Sequence, residues 1–228
     1  MGFLQKNEGS GPAAGKRGVV RAGFLLVLGL LTGCATLTHV RPVAPGALVA
    51  EAAVGGPLVQ LGTVPVPLPL TSLGATYGLL ERLSLHAHVQ PSPLLFGAIG
   101  GDVGATGLLL AQREGWPALA ASGQVNVLTD LRTGAWWSAD ASLTASWLLQ
   151  DRWLPYVTLT GQGDFLNRLF QIAPGAGAQV VLGPWTLQAE ARLYAPTRRS
   201  DLAAVPYVGF AGRGAFGLMF GAGYRFGP

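Results

Sequence analysis

The chain has one cysteine among 228 residues, only 11% of its residues are charged, and no lysine occurs beyond Lys16. A single cysteine excludes an intramolecular disulfide framework and any zinc site built on a cysteine cluster. So little charge, in a chain half hydrophobic, argues against a disordered segment and against a solvated α-helical domain. No apolar run reaches the ~20 residues that a membrane-spanning helix needs. The formal charge of +4 suggests a nucleic-acid or membrane-surface partner until it is placed along the chain: residues 1–33 carry +3 and the remainder +1. The connections also lack the aromatic-basic interleaving that binds nucleic acid, so no nucleic-acid partner is expected.

The first 33 residues account for the basic excess. Lys16, Arg17 and Arg21 precede the apolar run Phe24 to Leu31, which leads into Thr32-Gly33-Cys34. That order is the order of a secretory signal peptide. Leu31-Thr32-Gly33-Cys34 resembles the lipobox of bacterial lipoproteins. The resemblance implies that residues 1–33 are removed and that Cys34 is lipidated and becomes the new N-terminus. It also implies transfer to the outer membrane by the lipoprotein-sorting machinery, since Ala35 stands where an Asp would favour retention. Residues 34–46, with Pro42 and Pro45, then read as a lipidated tether on the periplasmic side.

Residues 47–228 alternate with a period of two. Phe216, Leu218, Phe220, Ala222, Tyr224 and Phe226 share one parity, while Gly217, Met219, Gly221, Gly223 and Arg225 share the other. The same pattern runs through Trp185 to Tyr194 and through Trp137 to Trp147, and more weakly near 47–54, 72–79, 83–90, 101–111, 117–127, 153–163 and 173–182. About ten strands follow, within a range of 8 to 12, each of a length that crosses a bilayer at a tilt. Short connections at 80–82, 113–117, 150–152 and 183–184 alternate with longer ones at 55–71, 90–100, 164–171 and 195–215, as in a barrel with short periplasmic turns. Trp137 and Trp147 would stand roughly 25 Å apart along the membrane normal, one at each interface. Trp116, Trp153, Trp185 and Phe226 fall beside the short turns, where aromatic rings favour a boundary between lipid and water.

On these residues the chain resembles the small outer-membrane β-barrel proteins of Gram-negative bacteria. The expected fold is all-β, an antiparallel up-and-down transmembrane barrel. The Phe216-to-Phe226 strand resembles the C-terminal signature offered to the barrel-assembly machinery, although Gly227 and Pro228 follow its last aromatic residue. A soluble β-sandwich lipoprotein is the alternative fold, because it too alternates apolar and polar residues.

With the apolar parity toward lipid, the lumen receives Glu51, His86, His88, Asp102, Asp140, Glu190, Arg192 and Arg225 together with several hydroxyl and amide side chains. Mixed charge in a narrow barrel points to a paired, hydrogen-bonded filling rather than to a wide diffusion pore. His86 and His88 share a face and could bind a metal with a carboxylate from a neighbouring strand such as Asp102, but a metal wants three or four ligands in fixed geometry, and neither metal nor cofactor is expected. Ser84 and His86 are the nearest approach to a lipid-hydrolase pair. They point inward, and the chain has no Gly-x-Ser-x-Gly elbow, so no catalytic centre is expected. Arg198, Arg199, Asp201 and Arg213 are assigned to an outer connection, where they could contact lipopolysaccharide phosphates. The expected role is structural, surface-interacting or narrow transport.

Overall fold

The computed structural model describes residues 36–130, 134–164, 169–199 and 207–227. Eleven strands form in chain order: β1 (Leu48–Leu61), β2 (Val64–Pro67), β3 (Leu70–Leu80), β4 (Leu83–Gln90), β5 (Ile99–Leu110), β6 (Ala118–Thr129), β7 (Ala135–Ser146), β8 (Trp153–Asp164), β9 (Leu169–Leu182), β10 (Trp185–Arg199) and β11 (Arg213–Phe226). Each strand pairs antiparallel with the next around the sheet, and β11 pairs with β1 from Leu48↔Phe226 to Pro57↔Gly217. The result is a closed barrel of ten strands, with β2 as an extra strand on the long end of β1. Closure leaves no second sheet among the described residues to make a sandwich.

The alternation read from the sequence sets which side chains meet in the interior. Val103, Leu143, Val157, Leu159 and Phe220 stand exposed on the outer face, whereas Thr106, Asn126, Thr144 and Ser146 are fully buried within. This barrel is therefore inside out compared with a soluble one. A contiguous apolar exterior of this extent is tolerated only where lipid or a partner covers it.

Both ends of the closed sheet, Leu48 and Phe226, lie at the end where the turns are tight. Glu81-Arg82 and Gly183-Pro184 are two-residue turns, and Gln150 and Asp151 both take positive φ (51° and 56°). Two successive positive φ values match the primed turns, whose twist fits that of paired strands.

At the opposite end the structure departs from the expected alternation of short and long connections. β8 and β9 pair up to Asp164↔Leu169, which leaves only residues 165–168 between them. The long connection expected at 55–71 is largely strand as well. β1 continues to Leu61 and turns back as β2, paired Leu58↔Pro67 to Leu61↔Val64. Gly55 (φ 141°) permits this continuation, because a Cβ there would overlap the Leu218 carbonyl oxygen. Pro65 and Pro67 sit in a four-residue edge strand, where a missing N–H is tolerated. β10 likewise runs on through Arg198 to Arg199, which pairs with Arg213, so these arginines belong to strands rather than to a free loop. Asp201 lies outside the described residues.

Candidate functional site in the barrel lumen

The segment expected to be a tether outside the wall instead runs inside the barrel. Starting at the tight-turn end, Gly46 N donates to Gly78 O (2.9 Å). Arg41 reaches across the lumen, its Nε donating to Ser146 Oγ (2.9 Å) and its Nη2 to Gln112 Oε1 (2.7 Å). Val40, only 2% exposed, packs against Leu154 and Tyr156. Thr38 N donates to Glu190 Oε2 (3.1 Å), and the Thr38 carbonyl accepts from Gln188 Nε2 (2.9 Å). Further along, Thr36 Oγ1 donates to Asp102 Oδ2 (3.2 Å), three residues from the far end of β5. The physical reason is chemical matching: the hydroxyls, guanidinium and backbone groups of residues 36–41 satisfy lumen groups that would otherwise be buried without partners.

Three polar clusters line this path. In the first, Glu190 of β10 accepts from Tyr156 Oη (2.9 Å) and from Arg192 Nε (2.7 Å), while Arg192 Nη2 donates to Thr38 Oγ1 (3.0 Å). In the second, Asp140 of β7 accepts from Asn126 Nδ2 (3.0 Å) and Gln124 Nε2 (3.2 Å).

The third cluster gathers every histidine of the chain. His86 and His88 come from β4, and His39 comes from the threaded segment, its ring stacked on His86 with centroids 3.9 Å apart and 19° between planes. His88 Nδ1 lies 2.8 Å from Asp102 Oδ1 on β5, and His88 Nε2 lies 3.1 Å from Glu51 Oε2 on β1. Thr76 Oγ1 of β3 donates to the same Glu51 oxygen (3.0 Å). His39 Nε2 and both ring nitrogens of His86 have no hydrogen-bond partner among the described residues. A cavity of about 50 Å³ opens between His39, Glu51 and His88. The wall is cut away to admit the rings: a Cβ at Gly74 would overlap His88 Cδ2, and one at Gly104 would overlap His86 Nε2.

The lumen residues expected from the sequence thus separate into distinct places. Glu51, His86, His88 and Asp102 meet in one cluster, Glu190 and Arg192 in another, and Asp140 in a third, whereas Arg225 is exposed beside a cavity of about 240 Å³ at the tight-turn mouth. Ser84 is fully buried in the interior, and its Oγ makes no hydrogen bond to His86. Trp116, Trp137, Trp153, Trp185 and Phe226 are exposed on the outside, and Trp147 is half-buried just beyond β7. Cys34 lies outside the described residues. Sequence reasoning missed His39, because prolines marked its segment as a linker. The available signal was its polar content, since Thr36, Thr38, His39 and Arg41 are an unusual density of hydrogen-bonding groups in so apolar a chain.

No protein-family model and no curated protein matches the chain. Solved structures it is similar to include outer-membrane proteins. An outer membrane channel from Pseudomonas putida F1 aligns over 84% of this chain and 100% of its own, with 11% identity and a TM-score of 0.47. The translocator domain of the autotransporter NalP from Neisseria meningitidis aligns over 94% and 97%, with 14% identity and a TM-score of 0.43. The outer membrane protein OprG from Pseudomonas aeruginosa aligns over 82% and 99%, with 11% identity and a TM-score of 0.34. At these scores the barrel rests on the chain's own strand pairing, and the lumen site rests on its own contacts.

Proposed function

We propose that this chain is a non-catalytic outer-membrane β-barrel with a structural or narrow-transport role, exported by residues 1–33 and lipid-anchored through Cys34, whose lumen its own N-terminal segment closes when it is threaded and opens when its lipid draws it to the membrane. The observation that carries this reading is the path of residues 36–46 through the interior, tied at successive depths to Gly78, Ser146, Glu190 and Asp102. Residence in the outer membrane is supported by the apolar exterior, by the tryptophans around the strand ends and by the signal sequence. The tight-turn end, where Leu48 and Phe226 lie, would face the periplasm. The outer-membrane bilayer is the partner these features call for, with lipopolysaccharide at the opposite end.

A ten-strand barrel has room for side chains and one further extended strand, not for that strand and a stream of solute. Closure by a removable segment fits a gated, narrow lumen better than a general pore.

Two measurements test the reading. Membrane-extracted protein should migrate faster in mild detergent before boiling than after it, as a closed barrel does. In planar bilayers Cys34→Ser protein, whose segment no lipid draws out of the barrel, should conduct little, and the same protein lacking residues 36–45 should conduct measurably more. Equal conductance of the two would remove the closure role, and absence of a heat-dependent shift would remove the barrel.

A further inference from the structure

His39, Glu51 and His88 each present one donor atom, and these atoms all lie within 4.8 Å of one another. They come from three separate parts of the chain: the threaded segment, β1 and β4. An accidental carboxylate cluster has no reason to be completed by a histidine from a segment outside the sheet. His88 Nε2 and Glu51 Oε2 are already 3.1 Å apart, close to the spacing of two ligands on one small ion. Behind them, His88 Nδ1 faces Asp102 Oδ1 at 2.8 Å, the carboxylate-histidine arrangement that fixes the ring and tautomer of a metal ligand.

The alternative is a finished hydrogen-bonded core, and the contacts count against it. His39 Nε2 is a buried atom with no hydrogen-bond partner among the described residues. Buried polar atoms left in that state cost free energy, so a purely structural cluster would be expected to pair them. Gly74 lets the His88 ring lie close against β3, where Glu51 of the next strand is within its reach.

We propose that His39, His88 and Glu51 bind a divalent transition-metal ion of the zinc class, with Asp102 orienting His88, and that the ion pins the threaded segment to the barrel wall. Two imidazoles and a carboxylate are a zinc ligand set that leaves a fourth position open, and imidazole selects such ions over calcium or magnesium. The ion takes the place of the proton between His88 Nε2 and Glu51 Oε2, which leaves to solvent on binding. His88 keeps its Nδ1 proton and donates it to Asp102. Bonds of about 2.0–2.1 Å to zinc require the donors to draw closer than their present spacing. His39 supplies that movement, because it lies outside any strand. The cavity beside the three residues holds the fourth ligand, a water. His86 stays out of the donor set and stacks against His39.

The inference rests on the threaded path, and its test is separable from that of lumen closure. Full-length protein without a histidine tag, folded in detergent and stripped with a chelator, is titrated with Zn(II) by calorimetry and with Co(II) by absorption spectroscopy. One ion per chain is expected, with a cobalt spectrum of low coordination number. Asp102→Asn should weaken binding by about 10–100-fold, and His39→Ala should weaken it at least as much while leaving the heat-dependent gel shift of the barrel intact. Ser84→Ala, buried nearby but outside the donor set, should bind as wild type does. Absence of saturable binding to the folded wild-type protein overturns the proposal, and so does equal affinity in wild type and His39→Ala. Conductance of the same samples decides the closure reading independently.

Discussion

Leu37 of the threaded segment lies directly over Gly221 of β11, its Cδ1 filling the space where a Cβ of residue 221 would stand. The two residues form a knob and a socket between the segment and the inner wall. The glycine leaves room for the tip of the Leu37 side chain, and any larger residue there would displace it, while the backbone at 221 is ordinary strand.

Gly221→Val should therefore expel residues 36–41 without breaking the barrel, because valine suits a strand and only the segment must move. Its conductance in planar bilayers should rise toward that of the variant lacking residues 36–45. Gly123→Val, at a position whose nearest neighbour is the Asp140 carbonyl oxygen 4.0 Å away, should leave conductance unchanged. A sealed Gly221→Val barrel would show that Leu37 does not hold the segment.

The Glu190 and Arg192 pair is buried, at 3% and 5% exposure, and is shared with Thr38 and Tyr156. Removing one partner of such a pair strands the other charge in a low dielectric. Arg192→Met should cost about 3–5 kcal/mol of stability, and the double variant Arg192→Met, Glu190→Leu should recover part of that loss. Urea unfolding in lipid vesicles measures both. A single-variant cost of at most about 1 kcal/mol would indicate a solvated pair.

Neighbouring residues on β7 provide a test of which face meets lipid. Leu143 is exposed on the outer face and pairs with Leu159, while Ser142 stands on the inner parity opposite Thr160. Leu143→Arg places a charge near mid-membrane and should destabilise the barrel by about 2–4 kcal/mol, whereas Ser142→Ala should cost far less. Similar costs at both positions would mean that the outer face is not in hydrocarbon.

Much of the fold was legible because a period of two survives in a barrel with one apolar and one polar face. Trp137 to Trp147 and Phe216 to Phe226 announced β7 and β11 within a few residues of their ends, and the count of ten wall strands followed from turn signals. β2 and the long end of β1 were not legible, since Gly55, Gly56, Pro57, Pro65 and Pro67 are ordinary turn residues whose strand conformation depends on neighbours distant in sequence. The lumen was legible as a parity but not as clusters. Strand alternation places His88 and Glu51 inward, yet only the register of β3 with its two neighbours, Glu51↔Gly74 and Gly74↔His88, decides that they meet across a glycine. His39 was illegible for a stronger reason, because it belongs to no strand and its place is set by long-range partners such as Glu190, 152 positions from Thr38.

The threaded path also makes a demand on Cys34. Thr36 is bonded to Asp102, toward the end of the barrel opposite Leu48, so a lipid two residues earlier in the chain cannot lie in the periplasmic leaflet while residues 36–41 stay in place. Acyl chains find no solvent in a lumen lined by Asp102, Gln90 and His86, and each buried methylene favours the bilayer by about 0.8 kcal/mol. The chain from Cys34 to Ala47 is long enough, at roughly 3.3–3.6 Å per residue, to reach the periplasmic leaflet once it leaves the barrel. Anchoring on the periplasmic side and closure of the lumen therefore compete for one segment. Lipidated protein purified from membranes should conduct, and Cys34→Ser protein refolded in detergent should be sealed. Added Zn(II) should oppose opening if His39 pins the segment. Equal sealing of both proteins would place the lipid at the outer mouth instead, with the segment still threaded.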